Sequence, residues 1–120
     1  MISIIPGMPE NVVAVTAAGQ VTGEDYQTVL IPKVDQALAR SEKIRFLYHI
    51  GPEFKKFTTT ALWDDAKVGL QHWREFERIA VVTDVEWICT MVRTLGAAMP
   101  GAVQTFTNGE IEDAKTWITE

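Results

Sequence analysis

Apolar residues along the chain fall into short β-branched runs, separated by stretches in which they recur every three to four positions. That alternation is expected of strands and amphipathic helices. Residues 1–5 (MISII) form an apolar run stopped by Pro6-Gly7, and residues 12–18 (VVAVTAA) form a second, ended by Gly19. With a turn through residues 7–11 they read as an antiparallel edge hairpin. From Thr22 the period becomes helical, with Tyr26, Val29, Leu30, Val34, Ala37 and Leu38 on one face. Thr22 is placed to cap this helix, and Glu24 and Asp25 stand in its first turn, where the helix dipole favours acids. Pro32 interrupts the pattern and predicts a kink or a break into two short helices.

Residues 45–50 (RFLYHI) read as the next strand, with Gly51-Pro52 as its stop and residues 51–60 (GPEFKKFTTT) as the longest irregular connection. Residues 61–73 turn helical, with Leu62, Ala66, Leu70 and Trp73 on one stripe and Asp64 and Asp65 near the start. The run RIAVVT (78–83) has the continuous apolar character of a central parallel strand covered on both faces. Asp84 then reads as the cap of a third helix carrying Ile88, Met91, Val92, Leu95 and Met99, ended by Pro100-Gly101. Residues 102–107 are the last strand, and Ile111, Ala114 and Ile118 mark a terminal helix with Trp117 beside them. The order ββαβαβαβα predicts one α/β domain over residues 1–120. Its five-stranded sheet is mainly parallel with an antiparallel N-terminal edge strand, joined to about four helices by right-handed crossovers.

Composition narrows the function classes. A chain of 120 residues, 47% hydrophobic and 22% charged, is long enough for one packed core without a disulfide or metal staple. Sixteen acids against eleven Lys and Arg give a net charge of −5, which argues against a grip on phosphate backbone, so nucleic acid is not an expected partner. The single cysteine, Cys89, closes no intramolecular disulfide. The start lacks the basic segment of a signal peptide and no apolar run approaches the roughly 20 residues that span a bilayer. The expected location is therefore cytoplasmic.

Four segments, FERIAVVTDVEW (76–87), ALWDDAKVGLQHW (61–73), MPGAVQTF (99–106) and AKTWI (114–118), together resemble the SpoIIAA-like proteins of the STAS and CRAL-TRIO fold group. The resemblance implies a compact, usually bacterial α/β domain. It also implies binding of a lipid or other small hydrophobic ligand, and transient contact with the inner face of the membrane. Related anti-sigma-factor antagonists carry a phosphorylatable serine in an Asp-Ser-Ser/Thr-Gly-Leu-Gly type of motif. This chain has GPEFKKFTTTALWDD there instead, so the switch does not transfer, although plain docking of a protein partner or a second copy remains open.

Ligands of open α/β sheets bind beyond the carboxyl ends of the parallel strands. There the segment after the third strand combines Phe54, Lys55, Lys56 and Phe57, two aromatic rings around two cations, with Trp63 shortly after. These residues either border a recess for an apolar ligand, with the segment and its following helix acting as a movable gate, or pin the segment to the core and leave both lysines in water. Trp87, directly after a strand end, is the other candidate ligand-binding residue, whereas Trp73 and Trp117 read as structural. Asp64-Asp65 reads as charge placement near a helix N-terminus. His49 and His72 have no zinc spacing, Cys89 has no partner base, and residues 19–23 are no phosphate loop. No cofactor or metal is implied, and no nucleophile, base and orienter can be assembled into an enzyme.

Overall fold

The computed structural model describes residues 1–120, the side chain of Leu70 excepted. Strands β1 (Ile2–Ile4), β2 (Val12–Val21), β3 (Ile44–Phe57), β4 (Phe76–Thr83) and β5 (Ala102–Phe106) form one sheet in the order β1-β2-β3-β4-β5. β1 is antiparallel to β2, and every other pair is parallel. Helix α1 spans residues 23–38 as three consecutive segments, Gly23–Asp25, a wide π turn over Tyr26–Leu30, and Ile31–Leu38. Helices α2 (Thr59–His72), α3 (Glu86–Gly96) and α4 (Ile111–Thr119) follow β3, β4 and β5.

Consecutive parallel strands joined by crossovers of one hand place α1, α2 and α3 side by side on one face, and α4 covers the other. The alternation of β3 shows the consequence: Ile44, Phe46, Tyr48 and Ile50 enter the larger cluster under α1 to α3, and Leu47 enters the smaller one under α4. Arg45 and Arg78 hold the end of α4. Their guanidinium groups donate to the carbonyls of Ile118 at 3.0 Å and Trp117 at 2.8 Å, where cations favour a helix C-terminus.

Thr22 caps α1 as expected, in a reciprocal box with Asp25. Pro32 does not break the helix. The turn before it widens so that the Ile31 N–H reaches the Tyr26 carbonyl, a local adjustment to the missing donor at residue 32.

Gly51-Pro52 does not stop β3, and the irregular connection expected over residues 51–60 is strand as far as Phe57. Ala17 pairs with Ile50 and Gly19 with Phe54, so Gly51, Pro52 and Glu53 stand opposite Ala18 alone. Within that bulge the missing proline N–H costs no ladder bond, and Gly19 on β2 takes up the distortion at φ +60°. Pairing of β3 with β4 ends at Ile50 and Thr83. Residues 51–57 therefore project past β4 as an arm paired with β2 alone.

Two further expectations change. Asp84 does not cap α3: it accepts the Asn108 N–H at 3.0 Å, Val85 takes the cap position without a side-chain bond, and the helix ends at Gly96, before Pro100. The buried face of α2 is not the Leu62, Ala66, Trp73 stripe. Ala61, Asp64 and Val68 are buried, while Leu62, Ala66 and Trp73 are exposed; the expectation for Leu70 lies outside the described residues.

Candidate functional site

The arm of β3 ends beside the first turns of α2 and α3, at the carboxyl edge of the sheet. A second register shift, between the Gly19–Phe54 and Gln20–Lys56 pairs, interrupts the alternation along the arm, so Phe54 and Phe57 both pack against the larger core while Lys55 and Lys56 stay in water. The Phe54 and Phe57 ring centroids are 4.8 Å apart, and both rings pack against the larger core. Phe57 also meets Tyr48 and Trp87 edge-on, at 6.5 Å and 6.4 Å. The arm is thus packed on the core through its aromatic residues. Trp87 joins them through one ring edge and is otherwise half exposed. Trp63 does not join: it points to solvent from α2, 68% exposed. Among the described residues neither lysine is in an ion pair.

α2 and α3 leave several large apolar side chains uncovered. α2 makes its helix contacts with α1 and has none comparable with α3. Thr60 and Asp64 mark its α1 side, where a side chain on Gly23 would collide with Thr60 Cγ2. At 100° per residue, Leu62, Ala66 and Trp73 then lie on the opposite flank, toward α3. On α3, Ile88 and Val92 face the sheet, and the Arg93 guanidinium reaches the Thr105 hydroxyl on β5 at 3.2 Å. The flank away from β5 carries Trp87, Met91 and Leu95, so two apolar flanks face one another over β3 and β4. All five of Leu62, Trp73, Trp87, Met91 and Leu95 are exposed.

A polar seam runs beneath α2, where Tyr48 of β3 and Tyr26 of α1 meet its sheet-facing side. The Tyr26 hydroxyl donates to Asp65 Oδ1 at 2.9 Å and sits 2.8 Å from the Tyr48 hydroxyl. Tyr26 has one proton, which goes to Asp65, so Tyr48 donates to Tyr26 and the three groups form a directed relay. Gln27 Nε2 approaches Asp64 Oδ2 at 3.5 Å beside it. Burial pushes the Asp65 carboxyl above the ordinary range, with the Tyr26 bond pulling the other way. Burial likewise drives both tyrosines up. Burial also works against the charge on Asp25, but hydrogen bonds from the Thr22 N–H and hydroxyl and the nearby N-terminal ammonium outweigh it, and the carboxyl falls below its usual value.

His49, His72 and Cys89 have structural partners. His49 Nδ1 sits 3.3 Å from the Thr16 hydroxyl, and burial holds its pKa down. His72 pairs with Glu75 at 2.8 Å. The Cys89 thiol faces the Thr83 carbonyl at 3.8 Å. Among the described residues no group of three or more His, Cys, Asp and Glu is disposed to hold a metal ion, and no helix is long and apolar enough to cross a membrane. A separate open hollow of about 530 Å³ at the other end of the helical layer is lined by Asp35, Leu38, Glu42, His72 and Glu75 among others.

Sequence reasoning thus found Phe54, Phe57 and Trp87, which the fold brings together, with Lys55 and Lys56 beside them. It missed the apolar flanks and the relay. A signal was available for α2: Ala61 and Val68 are seven residues apart, as two residues on one helix face are, but the more hydrophobic Leu62 and Trp73 outweighed them.

A family model described as SpoIIAA-like matches residues 12–119. Among solved structures, the chain is similar to an uncharacterized protein of the DUF3478 family with a SpoIIAA-like fold from Shewanella loihica PV-4. The two share 30% identity and superpose with a TM-score of 0.78, over 98% of this chain and 93% of that one. No curated protein matches.

Proposed function

This chain belongs to the SpoIIAA-like family, and from that premise we propose that it is a non-enzymatic binding domain. Its ligand is an amphiphile with an acyl chain and an anionic head. The chain lies in the groove between α2 and α3, and the head meets Lys55 and Lys56 at the carboxyl edge of the sheet. The observation that carries this reading is the pair of facing apolar flanks, Leu62 and Trp73 against Trp87, Met91 and Leu95, left uncovered in an otherwise well-packed domain. Contiguous exposed apolar surface of this kind marks a binding site.

Charge selects the occupant. The free lysines stand at the mouth of the groove, whereas the hollow at the far end is lined by three acids that repel an anion. Energetically the chain dominates, since each buried methylene contributes about 0.8 kcal/mol and each lysine at an anionic surface about 1 kcal/mol. Two lysines on a protein of net charge −5 support brief contact with an anionic membrane, enough to load or unload a ligand and too little to anchor the domain.

Native mass spectrometry of the protein titrated with fatty acids and with anionic phospholipid vesicles tests the reading. A one-to-one complex is expected, and shortening the acyl chain by two methylenes weakens it roughly tenfold. Trp63→Ala leaves the affinity near wild type, because Trp63 points out of the groove, whereas Trp87→Ala lowers it. Clean spectra with every fatty acid and lipid, combined with a stable complex between two copies or with a protein, would replace this reading by a STAS-type interaction module.

A further inference from the structure

We propose that the relay Tyr48–Tyr26–Asp65, with Gln27 and Asp64 beside it, is a strut that draws α2 against α1 and thereby holds the groove between α2 and α3 open. Tyr26 and Asp65 are, on this account, positioning residues for the ligand site. The inference rests on the groove being that site only for its effect on binding; the strut itself acts in the ligand-free protein.

The sides of α2 are unequal. Its sheet-facing side contributes Ala61 and Val68 to the apolar core, and the rest of that side is Asp64 and Asp65. Its flank toward α3 is apolar, and so is the flank of α3 that faces it. Two apolar surfaces separated by water attract, so an open groove needs a counterforce that holds α2 to α1, and the Tyr26–Asp65 bond joins those two helices beneath α2. Glycine at position 23 allows α1 to come close enough for it, since any side chain would strike Thr60.

Hydrogen-bond arithmetic makes the seam all-or-none. Tyr26 is fully buried and Tyr48 nearly so. With α2 against α1, the Tyr48 proton goes to Tyr26 and the Tyr26 proton to Asp65. Moving α2 toward α3 takes the final acceptor away and leaves buried hydroxyls unmatched, which proteins avoid. The groups facing Asp65 are Tyr26 and Gln27 from α1, Tyr48 from β3 and Asp64 on its own helix, with Asp25 close enough to act on Tyr48. No cation is among them, so it is the hydroxyl bond rather than an ion pair that fixes the carboxyl.

The test measures the distance between the helices in ligand-free protein. Spin labels are placed on the outward faces of α2 and α3 at Lys67→Cys and Thr94→Cys, in a Cys89→Ser background, and read by pulsed electron resonance. Tyr26→Phe keeps the ring and removes the relay, and is expected to shift the distance distribution to shorter values. It should also weaken fatty-acid uptake about tenfold, as expected if the closed form then outnumbers the open form by that ratio. Asp65→Asn keeps an acceptor for the Tyr26 proton and is expected to preserve the wild-type distance. An unchanged or longer distance in Tyr26→Phe would overturn the strut; Asp65→Ala, which removes the acceptor on α2 and leaves both tyrosines in place, is expected to shorten the distance likewise and gives the same reading should Tyr26→Phe fold poorly. Wild-type protein that takes up no fatty acid while Tyr26→Phe still shortens the distance would sink the ligand and leave the strut standing.

Discussion

Tyr26 concentrates the chemistry of the interior, because one hydroxyl satisfies two other buried groups. Replacing it with phenylalanine is expected to destabilise the fold by about 1–3 kcal/mol, the range for leaving buried partners unmatched, measured as a lower urea midpoint. Asp65 gives a pH signature. Its carboxyl titrates above the ordinary range in the folded chain, so the folded state binds a proton that the unfolded state has already released. Wild-type stability therefore falls as pH rises from about 4, the unfolded carboxyl value, through the folded one. Asp65→Asn lacks that fall. Stability curves of the two proteins should diverge in favour of the variant with rising pH, and parallel curves would contradict the burial of the carboxyl. Asp25 has the opposite sign, its contribution being lost as pH falls through its lowered value.

Among the elements, the β3 arm and α2 are where local pattern and tertiary outcome part. Gly51-Pro52 carries a strong turn signal, yet β2 offers a bulge with Gly19 at positive φ that accommodates it. Such a bulge is a property of two strands together and is invisible in either alone. On α2 the apolar stripe is the exposed one, because a binding flank and a core face look alike in a hydrophobic pattern. The four-helix, five-stranded order, the cap at Thr22 and the apolar face of α1 were legible because each is set by residues within one element; of the α3 stripe only Ile88 and Val92 face the sheet, and Met91 and Leu95 are exposed. The end of α4 was not, since its partners Arg45 and Arg78 lie on strands 73 and 39 positions away. Arg78→Ala removes the bond to the Trp117 carbonyl and the cation resting 5.2 Å above the Trp117 ring. It is expected to cost about 1–2 kcal/mol of stability, checked by urea unfolding, with no change in groove width.

For the molecule as a whole, the two faces of the sheet divide the work. The α4 face is closed by Phe106, Trp117 and the two arginines, and the opposite face keeps an opening between α2 and α3. The family and fold followed from segments spread along the chain. The site did not, because an unfilled groove is defined by what two helices fail to touch. A heteronuclear NMR titration of the ligand-free protein with a medium-chain fatty acid locates that site most directly. The account predicts amide shifts on residues 54–57 and on the facing flanks of α2 and α3, around Leu62, Ala66, Trp87, Met91 and Leu95, with α4 unmoved. Shifts confined to the hollow around Asp35, Glu42 and Glu75, or none at saturating fatty acid, would contradict it.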